Sequence, residues 1–181
     1  MTERAHLDHY PTPRSALTPL LALAEREAWW HPGDTVLDPS AGDGALLDVM
    51  AERGHPTVGI ELHAKRATEA RRKGHAIGRG DALVKPWPAC HVIVMNPPYT
   101  HAEAFVRRAL EHRGDRGALC ALLRLSFLGS KRRASLHLAA PANVYVLSSR
   151  PRFDGRGNDT ADSAWFVWGR GGGGRWGVLE P

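Results

Sequence analysis

The run His91-Val92-Ile93-Val94-Met95-Asn96-Pro97-Pro98-Tyr99 limits the fold more than any other stretch of the chain. Four consecutive apolar residues read as a strand buried on both faces, and the prolines after Asn96 have no N–H with which to continue a ladder. Strands of that kind belong to parallel sheets covered by helices. A polar amide therefore sits at the carboxyl tip of a buried strand, where open α/β sheets bind their ligands. An amine held there would have both hydrogens accepted, one by the Asn96 side-chain oxygen and one by the Pro97 carbonyl, with its lone pair turned towards an electrophile. A Pro-rich turn whose asparagine caps its own backbone has the same four letters, and the rest of the chain has to separate the two readings.

A second stretch of the same kind lies upstream. Thr35-Val36-Leu37 is a short apolar strand that runs into Asp38-Pro39-Ser40-Ala41-Gly42-Asp43-Gly44, after which Leu46, Leu47 and Met50 mark the buried face of a helix. Strand, Gly-rich turn and helix together let backbone approach a nucleotide-like ligand, although a plain tight turn has this composition too. Two carboxylates would repel a pyrophosphate, so Asp38 and Asp43 suit a cationic or hydroxyl-rich ligand.

The next strand, Thr57–Ile60, ends in Glu61, roughly twenty residues beyond Asp38, the spacing at which an acidic residue accepts from ribose hydroxyls. A solvated carboxylate at a strand end is the plainer possibility. Ala76-Ile77 is a weak third strand, followed by Gly80-Asp81, where a carboxylate could read an exocyclic amine. Between them a helix carries Lys65, Arg66, Arg71, Arg72 and Lys73 on what reads as a solvated face or a phosphate-steering one.

Elsewhere, Tyr10-Pro11-Thr12-Pro13 is a pre-organised extended segment able to run along a pocket. Thr18-Pro19 predicts a helix N-cap and first position, with the helix stopped at His31-Pro32-Gly33. Ala102–Arg113 is amphipathic, Gly117–Leu125 reads as a fifth strand, Ser130 caps a helix bearing Lys131, Arg132 and Arg133, and Asn143–Leu147 and Ala164–Trp168 are strands. The loop Ser149–Asn158 between those two interleaves Arg150, Arg152 and Arg156 with Phe153, a pattern suited to stacking on a nucleobase, or to anchoring the loop in the core. Gly171–Gly174 reads as a flexible hairpin before a final strand at Trp176–Leu179.

Length and charge set the outer limits. At 181 residues the chain holds one proper core. A net charge of +5 points to an anionic partner, nucleic acid first, although an arginine-biased composition gives the same number. Cys90 and Cys120 lie beside apolar runs without CxxC partners, which predicts reduced core thiols and no zinc site. Met1–Tyr10 has no apolar run, so no export signal or membrane span is expected and the location is expected to be cytoplasmic.

Tyr10-Pro11-Thr12-Pro13, Asp38–Gly44, Glu61, Gly80-Asp81 and Asn96–Tyr99 occur in the order found in S-adenosylmethionine-dependent DNA N6-adenine methyltransferases of the Asn-Pro-Pro-Tyr type, which the chain resembles. The runs Leu123–Leu128, Arg150–Phe153 and Asp162–Trp168 are similar to the small Dam-like forms carried by phages. The resemblance covers most of the chain. It implies an α/β, Rossmann-like class I methyltransferase fold: a seven-stranded, mostly parallel sheet with its last strand antiparallel and helices on both faces. It implies one domain over residues 1–181, with an extended cofactor-closing segment at 1–14, a substrate loop at 149–161 and a flexible Gly-rich turn at 169–175.

The implied cofactor is S-adenosyl-L-methionine. Asp38, Pro39, Ser40, Ala41 and Gly42 would line its methionine end, Glu61 and Leu62 its ribose, and Asp81 and Ala82 its adenine. Tyr10, Thr12 and Pro13 would close over the amino-acid moiety. Asn96, Pro97, Pro98 and Tyr99 would be the catalytic set, with Asn96 also touching the cofactor. Tyr99 and Phe153 would stack on a flipped-out target adenine, and Arg150 and Arg152 would contact phosphate. Larger members carry a target-recognition domain, and none is expected here because only a Gly-rich remainder follows Trp168; short or relaxed sequence specificity is therefore expected, driven by phosphate contacts that also include Arg156 and Lys131–Arg133. Nucleic acid is the expected partner, DNA before RNA, with no metal. The same signature also occurs in enzymes that methylate RNA adenine or the glutamine amide of proteins, and a domain that binds nucleic acid without catalysis is the non-enzymatic alternative.

Overall fold

The computed structural model describes residues 11–113, 117–151, 161–169 and 172–180. Strands β1 (Val36–Asp38), β2 (Thr57–Glu61), β3 (Ala76–Arg79), β4 (Val92–Met95), β5 (Ala118–Arg124), β6 (Asn143–Leu147), β7 (Ser163–Trp168) and β8 (Trp176–Leu179) form one sheet in the order β3-β2-β1-β4-β5-β7-β6-β8. Helices α1 (Arg14–Arg26), α2 (Ala45–Ala51) and α3 (Ala64–Arg72) pack into the core on one face. Helices α4 (Ala102–His112) and α5 (Ala134–Ala139) pack into the core on the other.

That two-sided cover explains the apolar runs. In β4, Val92 and Val94 join the α1–α3 core while Ile93 and Met95 join the α4–α5 core, and Ala118, Cys120 and Leu122 alternate in the same way with Leu119, Ala121 and Leu123 along β5. Every residue of β4 is buried because both pleat faces are inside.

β1 pairs in parallel with β2 on one side and β4 on the other, β2 with β3, and β4 with β5. The chain therefore builds outward from β1 to one edge and then returns to β4 across β1. This switch opens a crevice between the carboxyl ends of β1 and β4. The far half differs from the expected sheet. β7 is antiparallel to both β5 and β6, as anticipated for one strand, but it is not the last: β8 lies parallel beyond β6, making eight strands. Gly173 allows that addition, because a Cβ there would collide with the Pro141 carbonyl while Gly174 N–H donates to Ala142 O at 2.9 Å.

Helix boundaries also move. α1 begins at Arg14 behind Pro13, whose φ of −67° and ψ of 142° are extended, and Pro19 lies inside the helix and not at its start. An earlier start buries Ala16 and Leu17 along with Leu20, Leu21, Leu23 and Ala24, and Pro19 removes one backbone donor. α1 stops before His31-Pro32-Gly33 because Ala28 takes φ 50° and Trp29 N–H closes on Ala24 O at 3.0 Å, which turns Trp30 into the core. Ser130 makes no side-chain cap; a 3₁₀ turn over Lys131–Arg133 leads into α5. Among the described residues no helix is long and apolar enough to cross a membrane, and no group of three or more His, Cys, Asp or Glu could hold a metal ion. Cys90 is half-buried and Cys120 buried, both unbridged.

Candidate cofactor and substrate cleft

A cleft of about 280 Å³ opens along the carboxyl ends of β1, β2 and β4. Asp38 closes β1 at its floor, 3% exposed. Ser40 donates to Asp38 Oδ1 through its N–H at 2.8 Å and its hydroxyl at 3.1 Å. Burial nevertheless outweighs those bonds and, with the charge of Glu61 adding to it, pushes the Asp38 carboxyl up to about 7.

The Gly-rich turn is tied to the next strand. Gly42, at φ 56°, donates its N–H to Glu61 Oε2 at 2.8 Å, Ala41 N–H donates to Ile60 O at 3.0 Å, and His63 N–H donates to Glu61 Oε1 at 2.7 Å. Glu61 thus sets the shape of the turn while each carboxylate oxygen keeps a second lone pair for a ligand. Gly59 makes room for this arrangement, since a Cβ there would lie 2.8 Å from the Ala41 methyl and 3.1 Å from Asp38 O. Asp43 also lines the cleft, but its carboxylate accepts from Ala45 N–H at 3.3 Å and lies 3.9 Å from Lys73 Nζ.

On the far wall, Asp81 Oδ1 accepts from Leu83 N–H at 2.8 Å, and Leu62 stands 56% exposed at the rim. The loop after Asp81 is held from α4. Arg108 donates to the carbonyls of Leu83 and Lys85, its guanidinium lies 5.4 Å from the Trp87 ring centre, and Trp87 Nε1 donates to Ala82 O at 2.7 Å.

Asn96 follows β4 directly. Its Nδ2 donates to Thr12 Oγ1 at 3.1 Å, so the segment before α1 crosses the end of β4. Pro98 is extended, with φ −53° and ψ 125°, and delivers Tyr99 into a 3₁₀ turn. The Arg124 guanidinium carbon lies 4.4 Å from the centre of the Tyr99 ring.

Of the residues expected from sequence, Thr12, Asp38, Pro39, Ser40, Ala41, Gly42, Glu61, Leu62, Asp81, Ala82, Asn96, Pro97, Pro98 and Tyr99 all line this one cleft. Pro13 does not; it is the N-cap of α1. Arg150 does not either, and its side chain pairs with Asp162 at 2.9 Å. Tyr10, Arg152, Phe153 and Arg156 lie outside the described residues. Sequence reasoning missed Phe105 and His101 as lining residues, Arg108 as the brace of the loop after Asp81, and Arg124 as the cation on the Tyr99 ring. A charged residue interrupting the apolar run Leu122-Leu123-Arg124-Leu125 was the available signal for Arg124.

No family model matches the chain, and neither does any curated protein sequence. Solved structures do. A Listeria monocytogenes protein named as a class I S-adenosylmethionine-dependent methyltransferase superposes with a TM-score of 0.74 at 14% identity over 95% of this chain. A dimethyladenosine transferase from Plasmodium falciparum gives 0.69 at 16% identity over 89%, and the modification subunit of a protein named as a type I restriction enzyme from Vibrio vulnificus gives 0.65 at 14% over 95%. The chain spans 66%, 63% and 47% of the lengths of those three proteins. What they share with it is the Rossmann-like class I methyltransferase fold.

Proposed function

We propose that this chain is an S-adenosylmethionine-dependent methyltransferase that modifies the exocyclic N6 amine of adenine in DNA. The observation that carries the reading is the Asn96 amide: it stands at the carboxyl end of β4, anchored to Thr12, in the same cleft as the acidic floor made by Asp38 and Glu61.

The chemistry of the cleft fits that cofactor. Buried carboxylates at Asp38 and Glu61 and an exposed one at Asp81 would repel a pyrophosphate and suit an ammonium, ribose hydroxyls and an exocyclic amine. Thr12, Asp38 and Ser40 would hold the amino-acid end, Glu61 the ribose, and Asp81 the adenine, between Leu62 and Phe105. When bound, S-adenosylmethionine supplies a methyl group already activated on a sulfonium, so the protein has positioning left to do.

Adenine N6 is a poor nucleophile because its lone pair is delocalised into the ring. Asn96 Oδ1 and the Pro97 carbonyl would accept its two hydrogens, favouring a pyramidal nitrogen and stabilising the positive charge that develops there. The extended Pro97-Pro98 pair fixes those acceptors, and Tyr99 offers a ring for the base to stack on once it has left the helix. The named activities of the nucleic-acid-modifying neighbours support this substrate class over a small metabolite.

The test is direct. The protein is incubated with tritiated cofactor and a mixture of DNA, RNA and protein, and the products are digested to nucleosides and amino acids. N6-methyladenine from DNA is expected. Label confined to RNA or to glutamine would move the substrate, and no label together with no cofactor binding by calorimetry would end the proposal.

A further inference from the structure

β4 and β5 run in parallel with Met95 opposite Ala121, so the segment Asn96–Tyr99 leaves the sheet beside Leu122–Arg124. There the Arg124 guanidinium sits 4.4 Å from the centre of the Tyr99 ring, a cation–π distance. Arg107 and Arg132 are paired with Glu103, and Arg150 with Asp162. Among the described residues Arg124 has no carboxylate within 4.0 Å, and its side chain is exposed.

A charged residue at the end of an otherwise buried strand, laid on an aromatic ring that lines the cleft, has two consequences. The guanidinium covers one face of the Tyr99 ring and holds that ring at the wall of the cleft. Its N–H donors stay uncommitted by any acid beside the cleft, in the fork geometry that suits a phosphate.

We propose that Arg124 is a substrate-positioning residue that clamps the Tyr99 ring and binds the phosphate next to the stacked base, so that the site selects a nucleotide over a peptide carboxamide. This rests on the methyltransferase reading above and deepens it. A glutamine side chain has neither a π-face to stack nor a phosphate, and gains nothing from the pair. Arg124 lies in none of the segments expected to close over cofactor, which makes its effects separable from cofactor binding.

The experiment compares the full chain with Arg124→Ala and Arg124→Lys. Calorimetry with S-adenosylhomocysteine reports the cofactor site, and methyl transfer to single-stranded DNA at several salt concentrations reports the substrate. Cofactor affinity is expected to stay within twofold for all three proteins, which also shows that both variants fold. Arg124→Ala is expected to raise KM for DNA about tenfold with kcat little changed, the size of a partly desolvated cation–π contact plus a phosphate contact, and to lower the salt slope of DNA affinity by about one. Arg124→Lys is expected to restore the salt slope while keeping most of the KM loss, because an ammonium keeps the charge and loses the planar fork. A KM and salt slope unchanged in Arg124→Ala would overturn the proposal, as would activity on protein amides alone. Failure of the unaltered chain to bind S-adenosylhomocysteine would instead refute the parent reading.

Discussion

Asn96 Nδ2 donates to Thr12 Oγ1 across 84 residues of sequence, at 3.1 Å. Thr12 is 8% exposed, so the bond is shielded from water and holds the plane of the amide. With Nδ2 on the Thr12 hydroxyl, the oxygen occupies the opposite edge, where in the proposed reaction it would accept a hydrogen from the substrate amine. Thr12→Val should therefore let the amide turn, lowering kcat about tenfold at unchanged DNA affinity, while Thr12→Ser keeps the hydroxyl and most of the rate. Steady-state kinetics on both variants decides; equal kcat for Val and Ser would remove Thr12 from the alignment.

Asp38 predicts a pH signature. Its folded value of about 7 stands above the ordinary aspartate value of 3.8, so the native state keeps a proton that the unfolded chain releases. The associated stability is present below the unfolded value and is lost as pH rises through about 7. Asp38→Asn should consequently melt higher than the parent protein near pH 8 and much closer to it near pH 5. A cationic ligand beside Asp38 favours its ionised form, so affinity for S-adenosylmethionine should rise with pH towards 7 in the parent protein and be flat in Asp38→Asn. Differential scanning calorimetry and titration calorimetry at the two pH values check both halves.

Much of this site was legible because its parts are local. Asp38–Gly44, Glu61 and Asn96–Tyr99 each follow a short apolar run, and the fold brings strand ends together without further instruction. What the sequence hid depends on partners far apart in the chain. Nothing near Thr12 announces Asn96, and Arg108 reads as one more polar position on an amphipathic helix although it reaches back to Leu83 and Lys85. Pro19 looked like a helix start because its local preference is strong, and burial of Ala16 and Leu17 overrode it. β8 was visible as a strand, but its place beyond β6 follows from β7 having taken the slot beside β5.

The Arg108 contacts yield a third prediction. Two carbonyls of the loop after Asp81 and the Trp87 ring converge on one guanidinium, so the wall expected to face the cofactor adenine is braced from α4. Arg108→Ala should weaken S-adenosylmethionine binding several-fold by loosening that loop, with kcat at saturating cofactor nearly unchanged, and Arg108→Lys should not rescue it because one ammonium cannot span both carbonyls. Unchanged cofactor affinity in both variants would show that the loop holds its shape unaided.

The Lys131–Arg133 cluster, expected from sequence to meet phosphate, is divided by the structure. Arg133 turns inward: Nε donates to Phe127 O at 2.7 Å, Nη2 to Ser126 O at 3.1 Å and Gly129 O at 3.4 Å, and the guanidinium lies 4.7 Å from the Phe127 ring centre. Arg132 pairs with Glu103, which is itself shared with Arg107. A guanidinium that satisfies three carbonyls is a structural brace, and removing it leaves those acceptors to water and uncovers Phe127, a loss on the order of 1–3 kcal/mol. Arg133→Ala should therefore lower the melting temperature by several degrees. Its DNA affinity should fall with salt as steeply as that of the parent protein, whereas Lys131→Ala should flatten the slope without moving the melting temperature. Thermal melts and salt-dependent anisotropy on the two variants separate brace from contact, and a flattened slope in Arg133→Ala would assign that guanidinium to the nucleic acid after all.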